Sequence, residues 1–329
     1  MTLRIGILGA ARIAPSALIR PARSVDEVSV AAVAARDETR ARAFARKHGI
    51  AKVHSSYDAM LDDPDIDAIY NPLPNGLHGH WTIAALNAGK HVLCEKPFTA
   101  NAAEARQVAA VAKGTDRVVM EAFHYRYHPF TARALEIMGS GELGAVRHIE
   151  TWMCIPLLLP KDIRWQLSLA GGTLMDVGCY ALHQLRTYAG AEPQITSARV
   201  KLLRPGVDRW AQADARFADG RTGRITVSMM SARLVSLGAR ITGSDGTLSL
   251  VRPTVPQFMG RLTVDAGGAK RTEKASKEPT YLHQLRAFAG AVLRDEPFPT
   301  TVDDAVANME AVDAVYRAAG LPVREPTRV

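Results

Sequence analysis

The candidate set for proton transfer in this 329-residue chain comprises Lys96, Asp176 and Tyr180. Asp176 and Tyr180 lie four residues apart in the helical pattern LMDVGCYALHQLRTYAG, so they share one helix face, which His183 borders. A tyrosine hydroxyl can protonate or deprotonate a carbinol when a cation lowers its pKa from about 10. Lys96 follows a predicted strand and could be that cation, with Asp176 orienting the pair. The alternative is a solvated lysine, a helix-capping aspartate and a half-buried tyrosine.

A second chemical signal follows the first predicted strand, RIGILGA. Gly9-Ala10-Ala11-Arg12-Ile13-Ala14 is a G-x-A-x-x-A form of the dinucleotide fingerprint, in which the first glycine makes the tight turn. The next helix then offers its N-terminal N–H groups and positive dipole to phosphates. Ala11 departs from the usual second glycine, and a plain strand–turn–helix is the alternative. The position of the motif favours a dinucleotide site at Gly9, Ala10, Ala11, Arg12 and Ile13.

The end of the second predicted strand, Ala34-Ala35-Arg36-Asp37, indicates which dinucleotide binds. An acid at this point hydrogen-bonds a ribose 2′-hydroxyl, whereas an arginine accommodates a 2′-phosphate. Arg36 occupies the expected tip, and Arg40 follows one helical turn later. The residues therefore predict NADP, while Asp37 keeps NAD open as the less favoured alternative. The alternative is that Arg36 binds no ligand and only faces solvent at the start of a helix.

Short apolar runs alternate with helical patterns over the first 120 residues. The strands are predicted in RIGILGA, VSVAAVAAR, Lys52–His54, AIYNPL, HVLCEKP and RVVMEAF, with helices between them. This alternation predicts a parallel, doubly wound Rossmann sheet, with ligands beyond the carboxyl ends of its strands. Tyr70–Asn75 and Cys94–Pro97 lie at two such ends, so Leu73 and Lys96 are expected to face the cofactor crevice.

The pattern changes after about residue 123. Longer strands are predicted in VRHIETWMCI, ITSARVKLL, DARFADGRTGRITVSMM and ARITGSDGTLSLV, with hairpin turns at Asp219-Gly220 and Asp245-Gly246. Two helices, Tyr281–Leu293 and Val302–Ala319, close the chain. We therefore expect an α/β protein with a Rossmann domain over residues 1–122. An α+β domain with a large, open, mostly antiparallel sheet is expected over residues 123–329, for substrate binding and oligomerisation.

Composition excludes several other classes of protein. The chain is 47% hydrophobic and 22% charged, which excludes disorder, and no run approaches the ~20 apolar residues of a membrane span. Three widely spaced cysteines and the absence of a signal-peptide pattern favour the cytoplasm. The net charge of +8 comes from scattered arginines with acids between them, so nucleic acid is not an expected partner. No histidine pair has a third ligand at metal-site spacing.

Taken together, these segments resemble the glucose–fructose oxidoreductase and inositol dehydrogenase family (Gfo/Idh/MocA). The resemblance covers essentially the whole chain and rests on GILGAARIA, NPLPNGLHGHW, AGKHVLCEKP, MEAFHYRYHP, GGTLMDVGCYALH and EPTYLHQLRAF. It implies that Lys96 is the catalytic lysine and that Asp176 and Tyr180 belong to the catalytic set. It also implies that Asn75, His78 and Glu95 line the cofactor and that Trp165 lies at the nicotinamide end. Relatives often carry Trp-Arg where this chain has Trp165-Gln166, which questions the substrate or phosphate contact there.

Tyrosine at position 180 resembles the branch with NADP-dependent xylose dehydrogenases, dihydrodiol dehydrogenases and nucleotide-sugar ketoreductases. The expected function is hydride transfer between nicotinamide and a secondary alcohol or carbonyl of a sugar, cyclic polyol or dihydrodiol. A nucleotide-sugar ketoreductase and a non-catalytic NADP(H)-sensing regulator are the alternatives. Substrate contacts are expected from Lys96, Arg126, Trp165, Tyr180 and His183. His124 and His128, near Arg126, are expected either to form a polar wall beside the substrate or to stabilise the interface between the domains. The long later strands predict a homodimer or homotetramer formed through their sheet.

Overall fold

The first sheet contains six parallel strands that alternate with helices along the chain. The strands are β1 (Leu3–Leu8), β2 (Val28–Ala34), β3 (Lys52–His54), β4 (Ala68–Asn71), β5 (His91–Cys94) and β6 (Val119–Glu121). They lie in the order β3-β2-β1-β4-β5-β6. The connections therefore turn to opposite sides between β1 and β4, at the switch point where open α/β sheets bind ligands.

Helix starts in this part of the chain are fixed by short polar side chains. The helices are α1 (Arg20–Ala22, after a π-helical turn at Pro15–Ile19), α2 (Glu38–His48), α3 (Tyr57–Leu61), α4 (His78–Asn87) and α5 (Ala102–Lys113). Asp37, Ser56 and Asn101 cap α2, α3 and α5, each accepting a backbone N–H of the first turn. Such caps satisfy N–H groups that lack a partner inside the helix.

The second sheet has eight strands and is mostly antiparallel. The strands are β7 (Val146–Cys154), β8 (Gln194–Arg204), β9 (Val207–Arg216), β10 (Thr222–Ser228), β11 (Ser236–Gly243), β12 (Gly246–Val251), β13 (Arg261–Ala266) and β14 (Ala269–Lys274). Their order is β14-β13-β12-β11-β7-β10-β9-β8, and β7 pairs with β10 in parallel. This sheet and the parallel sheet together confirm the predicted fold class.

The described residues form four further α-helices, α6 (Pro129–Gly139), α7 (Cys179–Ala189), α8 (Thr280–Arg294) and α9 (Val302–Ala318). Helix α7 lies against one face of the second sheet, where Thr151 Oγ1 donates to the carbonyl of Ala181 at 2.8 Å. The inward residues Ile149 and Ile225 are buried on that face. The opposite face carries half-exposed side chains such as Thr226. One face of the sheet is therefore covered by helix, and the other remains partly exposed.

This description comes from a computed structural model and covers residues 2–157, 159, 161–232 and 234–329. The chain divides into two units. Unit 1 contains Met1–His124, Tyr281–Val306 and Arg328–Val329, and unit 2 contains Tyr125–Thr280 and Ala307–Thr327. The chain thus returns to unit 1 after building the second sheet. The proposed functional division at residues 122 and 123 stays a prediction.

Membrane-spanning helices, metal sites and disulfides were considered from the sequence, and the described residues bear on each. Within it, no helix is both long and apolar enough to cross a bilayer. No cluster of three or more His, Cys, Asp or Glu residues suited to a metal ion occurs among the residues described. No disulfide joins the three cysteines, of which Cys94 and Cys179 are buried and Cys154 is partly buried.

Glu104, in the first turn of α5, gives unit 1 a pH-dependent stability. Its side chain is 6% exposed and accepts the N–H of Ala100 at 2.8 Å. Burial raises the pKa of this carboxyl to about 7, against the opposing effect of that hydrogen bond. Because the carboxyl ionises more easily in the unfolded chain, its stabilising contribution is present below pH 4.5 and is lost as the pH rises to 7.

Glu104→Gln is therefore expected to gain stability relative to the native protein as the pH rises from 5 to 8. The gain is at most about 3 kcal/mol, because the uncharged amide keeps an acceptor for Ala100 and removes the buried charge. Thermal unfolding midpoints of both proteins at pH 5, 6, 7 and 8 measure it. Parallel pH curves for the two proteins would show that Glu104 does not titrate in this range.

Candidate active site

The turn after β1 has the geometry of a dinucleotide fingerprint. Gly9 has a φ of 84°, which favours glycine, and its N–H donates to the carbonyl of Ala34 at 2.7 Å. A Cβ at Gly9 would lie 3.2 Å from Leu73 and 3.7 Å from the hydroxyl of Tyr57. Ala10 is buried, whereas Ala11 and Ile13 are half-exposed and Arg12 is exposed. The sequence motif and its neighbour Leu73 therefore occupy the same end of the sheet.

Two arginines lie beyond the carboxyl end of β2. Arg36 and Arg40 are both exposed, and Nη2 of Arg40 donates to the carbonyl of Ala10 at 3.0 Å. Asp37 Oδ1 accepts the N–H of Arg40 at 3.1 Å, so this carboxylate caps α2. Burial raises the pKa of Tyr57, and the charges of Arg36 and Arg40 oppose that shift. Tyr57 thus borders both arginines, a placement that the sequence analysis missed.

The loop after β5 carries Lys96. Lys96 is half-buried, and the neighbouring Glu95 is buried, with Oε1 accepting the hydroxyl of Tyr70 at 2.8 Å and Oε2 accepting the N–H of Lys96 at 3.3 Å. Glu95 therefore holds the backbone of the lysine against β4. Asn75 begins a short 3₁₀ turn that leads into α4. The predicted residues Leu73, Asn75, Glu95 and Lys96 all belong to loops at this end of the first sheet.

His78 joins two of these loops. It is 1% exposed, and its ring nitrogens lie 2.7 Å from the carbonyl of Pro97 and 2.6 Å from the carbonyl of Leu73. Burial lowers the pKa of the imidazole to about 4, although both carbonyls favour its protonation. Its nitrogens contact the protein itself, so any role of His78 at the cofactor passes through the loops that it connects.

In unit 2, Asp176 and Tyr180 lie on the path into α7. A π-helical turn at Leu174–Gly178 leads directly into that helix, and both residues are buried. Arg164 Nε donates to Asp176 Oδ1 at 3.0 Å, and Arg164 Nη1 donates to Asp162 Oδ1 at 3.1 Å. The two carboxylates raise the pKa of Arg164, with Asp176 the larger cause. This ion pair is not predictable from the sequence, because nothing in the spacing of residues 164 and 176 indicates a contact.

His183, on α7 with Tyr180, contacts a side chain from the 3₁₀ turn at His124–Tyr127. Its Nδ1 lies 2.6 Å from the hydroxyl of Tyr125, and the Tyr125 ring centroid lies 6.2 Å from that of Tyr180. All three side chains are at most 5% exposed. Tyr125, like Tyr57 and Arg164, is a residue of the site that the sequence did not predict. Tyr125 therefore contacts His183 and lies beside Tyr180, two residues of the predicted helix face.

The remaining predicted residues fall into different environments. Trp165 is buried in unit 2, and its carbonyl accepts a hydrogen bond from Arg204. Arg126 is half-buried in a 3₁₀ turn. His128 is buried and caps α6, with Nδ1 accepting the N–H of Phe130 at 3.0 Å. His124 belongs to unit 1, where its ring centroid lies 4.1 Å from that of Tyr281.

The residues of unit 1 fit a bound dinucleotide. Gly9 supplies a turn with positive φ, Ala11 presents only a methyl group, and exposed guanidinium groups lie at the end of β2. A parallel sheet with these features at the carboxyl ends of β1 and β2 is typical of a dinucleotide-binding protein. Two family models agree with this class. "Oxidoreductase family, NAD-binding Rossmann fold" matches residues 3–123, and "GFO/IDH/MocA C-terminal domain" matches residues 131–249.

Known proteins resemble the chain along nearly its whole length. D-xylose 1-dehydrogenase (NADP(+)) 2 of Haloferax volcanii is 37% identical, over 96% of this chain and 97% of the relative. The dTDP-3,4-didehydro-2,6-dideoxy-alpha-D-glucose 3-reductase of Streptomyces violaceoruber is 34% identical, over 97% and 96%. The crystal structure of KijD10, a 3-ketoreductase from Actinomadura kijaniata in complex with NADP and TDP-benzene, is 28% identical with a TM-score of 0.90, over 97% and 98%. The chain belongs to the Gfo/Idh/MocA family and is an NAD(P)-dependent oxidoreductase.

Proposed function

We propose that this chain is an NADP-dependent dehydrogenase or reductase that acts on a CH–OH or carbonyl group of a sugar or related polyol. The arrangement at the end of β2 carries the cofactor assignment. Arg36 and Arg40 are exposed there, whereas Asp37 uses its carboxylate to cap α2. Two guanidinium groups suit a 2′-phosphate, and a capping carboxylate is poorly suited to bind a ribose hydroxyl. The D-xylose dehydrogenase relative is named for the same cofactor.

Bound NADP supplies the hydride chemistry, and the protein supplies orientation and proton transfer. We assign the proton to the Tyr180 hydroxyl. Lys96 provides the cation that favours its ionised form, and Asp176 fixes the start of the helix through Arg164. Gly9, Ala10, Ala11, Arg12 and Ile13 hold the cofactor phosphates, and Leu73, Asn75, Glu95 and Trp165 border the cofactor.

The substrate side is assigned to Arg126, Trp165 and His183, together with Lys96 and Tyr180. Support comes from the names of the relatives, which describe enzymes of xylose and of a dTDP-linked keto sugar. Neutral sugar hydroxyls need hydrogen-bonding side chains around the reacting carbon. A buried Tyr–His pair at Tyr125 and His183 can orient such groups.

A substrate screen tests this function. We expect the purified protein to reduce NADP+ with D-xylose or a related aldose, and NADPH absorbance measures the rate. A panel of pentoses, hexoses, cyclic diols and levoglucosan, each tried with NADP+ and NAD+, separates substrate choice from cofactor choice. Tight NADP(H) binding without turnover of any member, including sugar nucleotides, would favour the sensing regulator instead.

A nucleotide-sugar ketoreductase is the second candidate. The observation that favours it is the match to the 3-ketoreductase complex with TDP-benzene, which covers 97% of this chain. The net charge of +8 also suits a substrate that carries a diphosphate. Oxidation of NADPH with a dTDP-linked keto sugar, at a kcat/KM well above that for free aldoses, would assign the chain to this class.

We propose that copies of the chain assemble through the eight-stranded sheet as a homodimer or homotetramer. Trp152, Trp210 and Thr226 are half-exposed on its open face, near the strand pairings of β7, β9 and β10. An open sheet face that carries two partly exposed tryptophans is typical of a surface that a partner covers. Nucleic acid and membranes are not among the proposed partners.

Thr226→Arg is expected to convert the assembly into monomers, because it places a charged side chain at the centre of the open face. Light scattering at micromolar concentration measures the mass, and circular dichroism checks the fold. Ala43→Arg, on the exposed face of α2, is the matched control and should leave the mass unchanged. A native protein that is already monomeric at this concentration would contradict the assembly.

We further propose a cytoplasmic location and a division of labour between residues 1–122, which bind the cofactor, and residues 123–329, which bind the substrate. The cysteines support the location, since Cys94 and Cys179 are buried as thiols.

A further inference from the structure

Arg324 and Asp208 form a buried ion pair in unit 2. Their side chains are 1% and 0% exposed, and Arg324 Nη2 donates to Asp208 Oδ1 at 2.6 Å. The hydroxyl of Tyr316, on α9, donates to the same oxygen at 3.0 Å. The guanidinium lies 4.2 Å above the Tyr316 ring. A pair this deeply buried is costly to desolvate, so its other hydrogen bonds indicate what it holds in place.

The other hydrogen bonds of Arg324 and Asp208 are made with the segment that precedes α7. Arg324 Nε donates to the carbonyl of Gly171 at 2.8 Å. Asp208 Oδ2 accepts the N–H of Leu174, the first residue of the π-helical turn, at 2.7 Å. The ion pair therefore binds both ends of the Gly171–Leu174 segment. Asp176 follows two residues later and Tyr180 six residues later.

Gly171 and Gly172 permit this close approach. Gly172 has a φ of 134°, and a Cβ there would lie 2.2 Å from Asp208 Oδ1 and 2.8 Å from Arg324 Nη2. A Cβ at Gly171 would lie 2.6 Å from the carbonyl oxygen of Arg164. The N–H of Gly172 donates to that same oxygen at 2.8 Å. The two glycines thus pack the turn between the ion pair on one side and the backbone of Arg164 on the other.

We propose that Arg324 and Asp208 are positioning residues, which fix the Gly171–Leu174 segment so that Asp176 and Tyr180 are held in their working orientation. The inference rests on the proposed function of Tyr180. Arg164 contacts this segment and the residue beyond it, since its carbonyl accepts the N–H of Gly172 and its guanidinium donates to Asp176, two residues after Leu174. A shift of the turn therefore moves the carboxylate and its partner together. Displacements of about 1 Å at reacting groups can cost on the order of 10²-fold in rate.

Arg324→Lys tests the positioning role. Lysine keeps the positive charge but lacks the planar fork that binds Gly171 and Asp208 together. We expect kcat with D-xylose, or with the best sugar of the screen, to fall about tenfold. We expect KM and the Kd for NADP+ to change less than about twofold. Hydrogen exchange of peptides that cover residues 171–180 should rise in the same variant, and this readout needs no substrate.

Arg186→Lys is the matched control. Arg186 is a 7% exposed arginine at the other end of α7, and its fork binds Glu192 at 2.6 and 2.7 Å. We expect Arg186→Lys and Arg324→Lys both to lower the midpoint of thermal unfolding. In Arg186→Lys, however, kcat and the hydrogen exchange of residues 171–180 should stay native. Tyr316→Phe removes a single bond to Asp208 and serves if Arg324→Lys does not fold. It should reduce kcat a few-fold and raise the same exchange.

The outcomes separate the two proposals. Native kcat and native exchange in Arg324→Lys, or equal losses of kcat in Arg324→Lys and Arg186→Lys, would overturn the positioning role. A native protein that turns over no member of the screen overturns the proposed function instead. In that case the exchange comparison alone decides whether Arg324 and Asp208 fix the turn.

Discussion

Tyr180→Phe is expected to lower kcat by about 10²–10⁴-fold, the usual contribution of a positioned proton-transfer group. The change removes one hydroxyl from a side chain that is 5% exposed and leaves the ring beside Tyr125. The Kd for NADP+ should therefore stay within about twofold of the native value, since we assign the lost hydroxyl to the substrate side of the site. Steady-state rates and a fluorescence titration with NADPH measure the two quantities separately.

Tyr188→Phe is the control for this change. It removes a buried hydroxyl from the same helix, eight residues further on, and activity should remain native. Lys96→Ala, the companion variant, should move the alkaline limb of the pH–rate profile to higher pH, because it removes the cation that favours the phenolate. Near-native activity in Tyr180→Phe would assign the proton to Lys96 or His183.

Arg36→Ala is expected to weaken NADP+ binding by about 10- to 100-fold, which corresponds to the loss of a charge-assisted hydrogen bond to phosphate. NAD+ lacks the 2′-phosphate, so its Kd should change less than about twofold. Fluorescence titrations with both cofactors give the two constants. Arg36 is exposed beyond β2 and its removal leaves the Asp37 cap of α2 intact.

Arg42→Ala provides the matched comparison for the cofactor test. Arg42 is an exposed arginine of the same helix, and its guanidinium pairs with Glu38 at 2.9 Å, so its loss should affect neither cofactor. Equal weakening of NADP+ and NAD+ in Arg36→Ala would contradict a phosphate contact. So would a native protein that binds NAD+ as tightly as NADP+.

Most elements of the parallel sheet could be predicted from the sequence, because both faces of such a sheet are buried and its strands are apolar throughout. The predicted strand at Lys52–His54 coincides with the observed β3. The hairpin of β13 and β14 was not predicted. Strand β14, Ala269–Lys274, contains AKRTEK and lies at the sheet edge, where charged residues replace the apolar alternation that indicates a strand.

The residues of the candidate site that belong to short sequence motifs could be predicted. Gly9, Lys96 and Tyr180 stand in short patterns whose spacing carries meaning. The partners that hold those motifs are distant in the chain. Arg164 pairs with Asp176 across 12 residues, and Arg324 reaches Asp208 across 116. No local periodicity records such contacts, because they depend on how the finished sheet brings separate segments together.

The return of the chain to unit 1 has a consequence for synthesis on the ribosome. The backbone N–H of Glu121, in the edge strand β6, donates to Thr300 at 3.2 Å, and the Thr300 hydroxyl donates to the Glu121 carbonyl at 2.8 Å. Thr300 is translated 179 residues after Glu121. Until it emerges, the nascent Rossmann sheet carries an uncapped edge of the kind that pairs with other chains. A truncated protein intended to isolate cofactor binding should therefore retain Tyr281–Val306, joined to His124 by a linker.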